Sequence, residues 1–291
     1  MASLLAKQLE KALGSAVIGS RPMRGGDIAD VSLLTLAGGH KVVAKRPRGD
    51  QPDTTAVEAM MLKHLSTHSD LPVPKVLFQN AGILVISHIP HAGIREPEKA
   101  AKSVAAHVAS LHGNLSSDKT APYGFKADTY IGPLVQQNRP ARDWVTFFTE
   151  HRLMAMATSC HRTDKFGAEL LARIETLATK LPDILPKAPA ASLLHGDLWA
   201  GNILIDGDMA AGFIDPAISY GHGEMDLAFI ALMGGLEHSF FDTYHCHRPI
   251  ESGFFEERKA IYQLWPLLVH VRLFGGGYVR QVASILDQFG V

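Results

Sequence analysis

The chain is poor in the features that mark several protein classes. It has two cysteines, Cys160 and Cys246, in 291 residues. They form neither a CxxC pair nor a zinc-ligand spacing. Two isolated thiols exclude a disulfide framework and fit a reducing compartment, where they serve as small apolar residues. No apolar run reaches the roughly 18 residues of a membrane-spanning helix. The nearest, Met225 to Leu236, is interrupted by Asp226 and two glycines. The first thirteen residues carry Lys7, Glu10 and Lys11 where a signal peptide would be uninterruptedly apolar. A cytoplasmic protein with no membrane partner is expected. Excess charge is also missing, since 28 Lys+Arg face 29 Asp+Glu for a net charge of −1. Nucleic-acid binders show a basic excess or stripe, so nucleic acid is not an expected partner, although a local cationic pocket remains compatible with this balance. There is no internal repeat and no low-complexity tract.

What is present describes a folded chain of about two domains or one bilobal unit. Hydrophobic residues make up 46% and charged residues 20%, which excludes disorder. Leu4, Leu5, Leu9 and Leu13 recur at near-helical spacing, and glycines follow. Val31–Leu36 and Lys41–Lys45 read as two strands around Gly38-Gly39. Thr54 or Thr55 can cap a helix that runs to about His68, with Glu58 in its first turn. Val76–Phe78 and Gly82–Ile86 make a second antiparallel pair. Residues 1–88 thus read as a small β-rich lobe with one inserted helix. Residues 89–291 read as a mainly helical lobe: helices over Ala100–His112, Asp143–Cys160, Asp164–Leu181, and from Glu224 onward with a break or kink at Pro266. Two short strands interrupt near 203–205 and 212–214, and Pro182–Pro189 reads as an exposed loop.

The chemistry concentrates in Leu193-Leu-His-Gly-Asp-Leu-Trp-Ala-Gly-Asn-Ile-Leu-Ile205. Asn202 follows Asp197 by five residues, the Asp-x-x-x-x-Asn spacing of a kinase catalytic loop. In that chemistry the aspartate accepts a hydroxyl proton while the asparagine holds Mg²⁺ close by, and one short loop entering a strand keeps both in register. Asp215-Pro216 ends the next apolar strand, where a carboxylate faces a cleft and suits Mg²⁺ bridging phosphates. Lys45 closes a strand of the small lobe and Glu58 lies on the following helix, as required to hold a lysine against the phosphates of ATP. The plain alternative for Lys45 is a solvated strand-end lysine. Gly25, Gly26 and Asp27 precede the first strand and can form a turn over the nucleotide, though without a GxGxxG pattern. The expected fold is α+β: a bilobal, protein-kinase-like arrangement, with ATP and Mg²⁺ as cofactors. His195 and Asp226 read as structural, Asp226 by hydrogen bonding the catalytic loop's backbone. Trp199 reads equally as a stacking face for a sugar or amine and as a packing residue. The remaining histidines form no HExxH-like set, so no transition metal is assigned.

In this order these residues resemble the kinase-like small-molecule phosphotransferases and, more closely, the fructosamine/ketosamine kinase family. The resemblance spans nearly the whole chain. It rests on Gly25-Gly26-Asp27-Ile28, on Tyr123–Asn138, on Asp143-Trp144, Phe147-Phe148 and Arg152-Leu153, on the catalytic loop with Trp199, and on Asp215-Pro216-Ala217 with Tyr220-Gly221-His222. It implies ATP-dependent phosphorylation of the sugar 3-hydroxyl of a ketosamine, free or protein-bound, after which the adduct falls apart and releases the amine. It implies Asp197 as base, Asn202 and Asp215 on Mg²⁺, and Lys45 with Glu58 on the phosphates. Asp128, Gln136 and Asn138 are expected to face the substrate. One departure is visible: relatives often carry Arg after the Gly-His pair, where this chain has Gly223. Two other readings stay open, a kinase of another small hydroxylated amine (aminoglycoside- or choline-kinase-like) and a catalytically silent nucleotide-binding relative.

Overall fold

The computed structural model describes residues 2–23, 29–233, 236 and 238–291, with the side chains of residues 2–6 left aside. Gly25, Gly26 and Asp27 lie outside the described residues.

The N-terminal part is a five-stranded antiparallel sheet in the order β1-β2-β3-β5-β4, with strands β1 (Val17–Pro22), β2 (Ala29–Leu36), β3 (Lys41–Pro47), β4 (Val76–Asn80) and β5 (Ile83–Ser87). Strand β1 was not expected, because Gly19 reads as punctuation. It nevertheless pairs with β2, and a register shift falls between Val17 and Gly19. Both faces of the sheet are covered, which explains why β3 is a run of apolar residues rather than an alternation. One face, with Leu34, Leu36, Val42, Ala44, Ile83 and Val85, packs on Leu9 of α1 (Ala2–Leu13). The other, with Leu33, Val43, Leu84 and Ile86, packs on Ala59 and Leu62 of α2 (Thr55–His68). Neither Thr54 nor Thr55 caps α2 through its own oxygen. Instead Asp53 Oδ1 accepts from the Thr55 amide at 3.0 Å and its hydroxyl at 2.6 Å. Asp53 Oδ2 also accepts from the Gly82 amide at 2.8 Å, which ties the helix start to the β4–β5 turn.

The remainder is mostly helical. After the two-residue strand β6 (Gly93–Ile94), helix α3 (Pro97–His112) starts with proline in its first turn, where no amide is lost. Ala100, Ala101, Val104, Ala105, Val108 and Ala109 are buried along one face. A hairpin follows, β7 (Thr129–Ile131) and β8 (Leu134–Gln136). Helix α4 (Trp144–Phe148) is capped by Asp143, which accepts from the Thr146 amide at 2.8 Å. It continues through a wider π turn, Thr149–Met154, into α5 (Ala155–Arg162). Helix α6 (Ala168–Ile184) runs past Pro182, so the expected exposed loop begins later, at about Leu185, whose side chain is buried.

Two short ribbons then carry the loops of interest. Strand β9 (Ala191–Leu194) pairs with β12 (Ser219–His222), and β10 (Ile203–Gly207) pairs with β11 (Met209–Phe213). Helices α7 (Glu224–Met233), α8 (His238–His247), α9 (Lys259–Phe274) and α10 (Gly277–Gln288) complete the chain. Pro266 sits inside α9 without ending it. Cys160 is buried and Cys246 exposed, and neither is bridged. No helix among the described residues is long and apolar enough to cross a membrane.

Candidate active site

Strand alternation delivers Lys45. Its side chain lies on the same face as Val43, two residues earlier, and that face looks onto α2. The ammonium donates to Glu58 Oε1 at 2.6 Å and to Asp215 Oδ1. Lys45 thereby joins the sheet, α2 and the segment after β11. Burial alone would lower the lysine pKa. The carboxylates of Asp215 and Glu58, by charge and hydrogen bond, more than offset it and hold the ammonium protonated. Glu58 is pushed upward by burial, against the pull of Lys45 and with the charge of Asp215 adding to the rise.

The loop after β9 holds His195-Gly196-Asp197. Gly196 has φ +81°, and a Cβ there would stand 2.0 Å from the Ala217 carbonyl oxygen, so only glycine fits. That close approach brings the segment after Asp215 against the catalytic loop. The Ala217 amide donates to the His195 carbonyl at 2.8 Å, and the Ile214 amide to the Asn202 carbonyl at 3.0 Å. Asn202 Nδ2 donates to both the carbonyl and Oδ2 of Asp197, each at 2.9 Å, so the amide oxygen of Asn202 points elsewhere. Asp215 has φ +54°, an uncommon backbone for a residue with a side chain and one found at sites whose surroundings dictate the geometry. Burial pushes the Asp197 carboxyl up to about 7; the Asn202 hydrogen bond opposes this, and the charges of Asp215 and Asp226 add to it. A carboxylate with a proton affinity near neutrality suits a general base.

Beneath the loop lies Asp226 of α7, 1% exposed. Its two oxygens accept from the backbone amides of His195 at 2.8 Å and Gly196 at 2.9 Å. His112, at the end of α3, contacts the same carboxylate at 3.1 Å and Tyr244 Oη at 2.7 Å. This is the backbone-holding role expected of Asp226. The side chain of His195 is enclosed beside Phe213, and burial lowers its pKa, so it stays neutral. Gly223, the departure noted in the sequence, is where His112 comes closest: a Cβ there would meet His112 Nδ1 at 2.9 Å. A larger residue at 223 requires the His112–Asp226 contact to move.

The expected substrate residues divide. Trp199 is 37% exposed, with its ring laid over Gly201. Asp128 is exposed, and its Oδ1 accepts from the Asn138 amide at 2.9 Å. Gln136 and Asn138 do not face outward, being 1% and 0% exposed. Gln136 Nε2 donates to Thr129 Oγ1 at 2.9 Å and to the Ala217 carbonyl at 2.8 Å. Asn138 Nδ2 donates to Thr129 Oγ1 at 2.8 Å, while its Oδ1 accepts from Arg152 at 2.8 Å. The reason for the correction is physical: a polar hairpin that must support the loop behind Asp215 spends its amides inward. Asn138→Ala is therefore expected to lower thermal stability and to raise the KM for sugar and ATP together. A rise in the sugar KM alone, with an unchanged melting temperature, would return Asn138 to the substrate.

Arg152 was not singled out for a role. It is buried against the Phe147 and Trp265 rings and donates to the Gln137 carbonyl at 2.6 Å and Ser219 Oγ at 3.0 Å. Burial brings its pKa down to about 9. Glu224 and Arg258 form a buried two-point pair, both contacts 2.7 Å. Neither had a signal in sequence spacing, since each partner lies far along the chain.

A model of the fructosamine kinase family matches residues 1–290. The chain belongs to the fructosamine kinase family. A probable ketoamine kinase of Synechocystis sp. is 30% identical over 98% of this chain and 95% of its own. A chloroplastic protein-ribulosamine 3-kinase of Oryza sativa subsp. indica is 32% identical over 80% of this chain and 67% of its own. Among solved structures, a candidate fructosamine-3-kinase of Thermobifida fusca superposes with a TM-score of 0.84 at 28% identity, covering 97% and 98% of the two chains. An ADP-bound aminoglycoside phosphotransferase shares the fold at a TM-score of 0.64 and 17% identity, covering 99% and 97%. In a fructosamine kinase family member, the Lys45–Glu58–Asp215 junction and the Asp197–Asn202 pair occupy the junction between the sheet and the helical part.

Proposed function

We propose that this chain is an ATP-dependent ketosamine kinase that phosphorylates the sugar 3-hydroxyl of a free or protein-bound ketosamine. The observation that carries the reading is the junction of Lys45, Glu58 and Asp215 beside the hydrogen-bonded pair of Asp197 and Asn202. Family membership narrows the acceptor to a ketosamine.

Asp197 takes the proton of the sugar hydroxyl as that oxygen bonds to the γ-phosphorus. The bond from the γ-phosphorus to the β,γ-bridging oxygen breaks, and ADP leaves. Lys45, fixed by Glu58, offers its ammonium to the phosphates. The donor set fits Mg²⁺, because the free oxygens of Asn202 and Asp215 are hard ligands and neither histidine nor cysteine intrudes. Held by Asn202 and Asp215, Mg²⁺ would neutralise phosphate charge. The half-exposed Asp215 can turn one oxygen to a cation while the other holds Lys45. Trp199 stacks on the ring or amine of the acceptor.

Lys45→Met is expected to lower kcat/KM for ATP about 10–150-fold, the loss of one charge-assisted contact worth roughly 1.5–3 kcal/mol. Initial rates over a range of ATP concentrations check this. Unchanged ATP dependence would leave Lys45 as a structural bridge only. The reading as a whole is tested by ATP consumption with a panel of synthetic ketosamines, aminoglycosides and choline, with the phosphate position read by NMR. Turnover of ketosamines at O3 is expected; turnover of another amine alone, or of none, would overturn it.

A further inference from the structure

A second cavity, of about 450 Å³, opens at the far end of the β9–β12 ribbon. The ribbon's Leu194–Ser219 end adjoins the catalytic loop, and near its Ala191–His222 end Ser192 and His222 line this cavity. Three residues of strand separate the ends, about 10 Å. Asp197 and Trp199 are not among the lining residues, so this is a different site. Its volume is within the ordinary range for small-ligand pockets.

The lining carries opposite charges that do not use each other. Arg248 and Glu251, three residues apart, both border the cavity, yet neither side chain has an ion-pair partner among the described residues. The other acid of the wall, Glu224, is already neutralised by Arg258. Two neutral polar groups complete the polar side. Tyr262 Oη accepts from Trp144 Nε1 at 2.9 Å and lies 2.9 Å from His222 Nδ1, which leaves His222 Nε2 without a protein partner among the described residues. Burial, with Arg258 and His112 nearby, pushes the His222 pKa down to about 3, so the ring stays neutral. Ser192, 1% exposed, also lines the cavity, and its hydroxyl has no partner among the described residues. Pro189, Leu227 and Ile250 supply an apolar wall.

We propose that this cavity binds a free α-amino acid, its carboxylate on Arg248 and its ammonium on Glu251. The unpaired charges of both signs favour a zwitterion over a simple anion, which would meet the Glu251 charge without using it. Ser192 and, in its Nε2–H tautomer, His222 donate to the remaining carboxylate lone pairs, and the amino-acid side chain lies along the apolar wall.

The test is calorimetric titration of the whole protein with L-lysine and with glycine, in the absence of ATP, Mg²⁺ and ketosamine. It therefore fails or succeeds independently of the kinase reading. Inorganic phosphate and methylamine serve as single-charge probes. L-lysine is expected to bind with Kd of about 1 mM or tighter, and Arg248→Met and Glu251→Gln each to weaken it at least about tenfold, a loss of roughly 1.4 kcal/mol. Each variant should keep the parent melting temperature and ketosamine turnover. If Arg248→Met fails to fold, Glu251→Gln decides alone. Absence of binding by either amino acid, or binding that ignores the substitutions, overturns the proposal. So does phosphate binding that tightens in Glu251→Gln, which would make this an anion site.

Discussion

Asp197→Asn is expected to lower kcat by about 10²–10⁴-fold, the usual contribution of a positioned general base. Asparagine is the sharper choice than alanine. Its amide oxygen can still accept from Asn202 Nδ2, which now bonds Asp197 at 2.9 Å, but it cannot take a proton. ATP binding and melting temperature should therefore stay near the parent values while turnover collapses. Asp197→Ala should show the same loss of kcat and also free the Asn202 amide. Steady-state rates and a nucleotide-binding titration on both variants separate the outcomes. If Asp197→Asn kept more than about a tenth of the parent turnover, proton transfer would have to be assigned elsewhere.

The second large effect concerns Asp226. Asp226→Ala leaves the His195 and Gly196 amides and the His112 ring without the acceptor they now share. Losing a buried, multiply bonded carboxylate costs about 3–5 kcal/mol. For a chain of this size that is a fall in Tm of roughly 5–10 °C. Turnover should drop as well, because the backbone that aims Asp197 loses its support. The effect has a pH signature. Burial on its own would raise the Asp226 pKa, but the His112 hydrogen bond and charge and the Gly196 amide outweigh it, and the folded-state pKa lies below the ordinary 3.8. A depressed carboxyl pKa stabilises the fold above the unfolded-state value and loses that contribution as pH falls through the folded-state value. Parent stability should therefore decline below about pH 4, and Asp226→Asn should flatten that acid limb. Denaturant midpoints between pH 2.5 and 7 measure this. An acid limb as steep in Asp226→Asn as in the parent would remove Asp226 as its source.

The two variants probe different links of one chain of causes. Gly196 lets the Ala217 carbonyl approach, that approach sets Asp215 beside the catalytic loop, and Asp226 holds the loop's amides from below. Phosphoryl transfer asks the protein mostly for position and charge, so supports that never touch the phosphates still act on the rate.

The sequence by itself determined the elements whose signals are local. Periodicity placed α2, the β2–β3 turn and the Ala-rich α3. Asp197 and Asn202 sit on one tight loop that enters β10, so their five-residue spacing puts their side chains in contact. Asp226 read as a helix-embedded carboxylate that holds the loop's backbone, although the amides it bonds lie 30 and 31 residues before it. The pairing of Lys45 with Glu58 was expected as well, and strand alternation with helix packing is what puts both on one face of the sheet; the direct contact of Lys45 with Asp215 was not expected.

Tertiary structure alone decided the rest. β9, β12 and the β7–β8 hairpin are three or four residues long, too short for a period to show, and exist through partners up to 31 residues away. Gln136 and Asn138 look like exposed polar loop residues until the fold closes over them and assigns their amides to buried carbonyls and hydroxyls. His112 with Asp226, Arg152 with Asn138, and Glu224 with Arg258 are buried polar pairs that only folding brings into contact. Spacing encodes what lies within one element. A buried hydrogen bond between elements is set by packing, and the desolvation of an unpaired group is what compels each partner to be found.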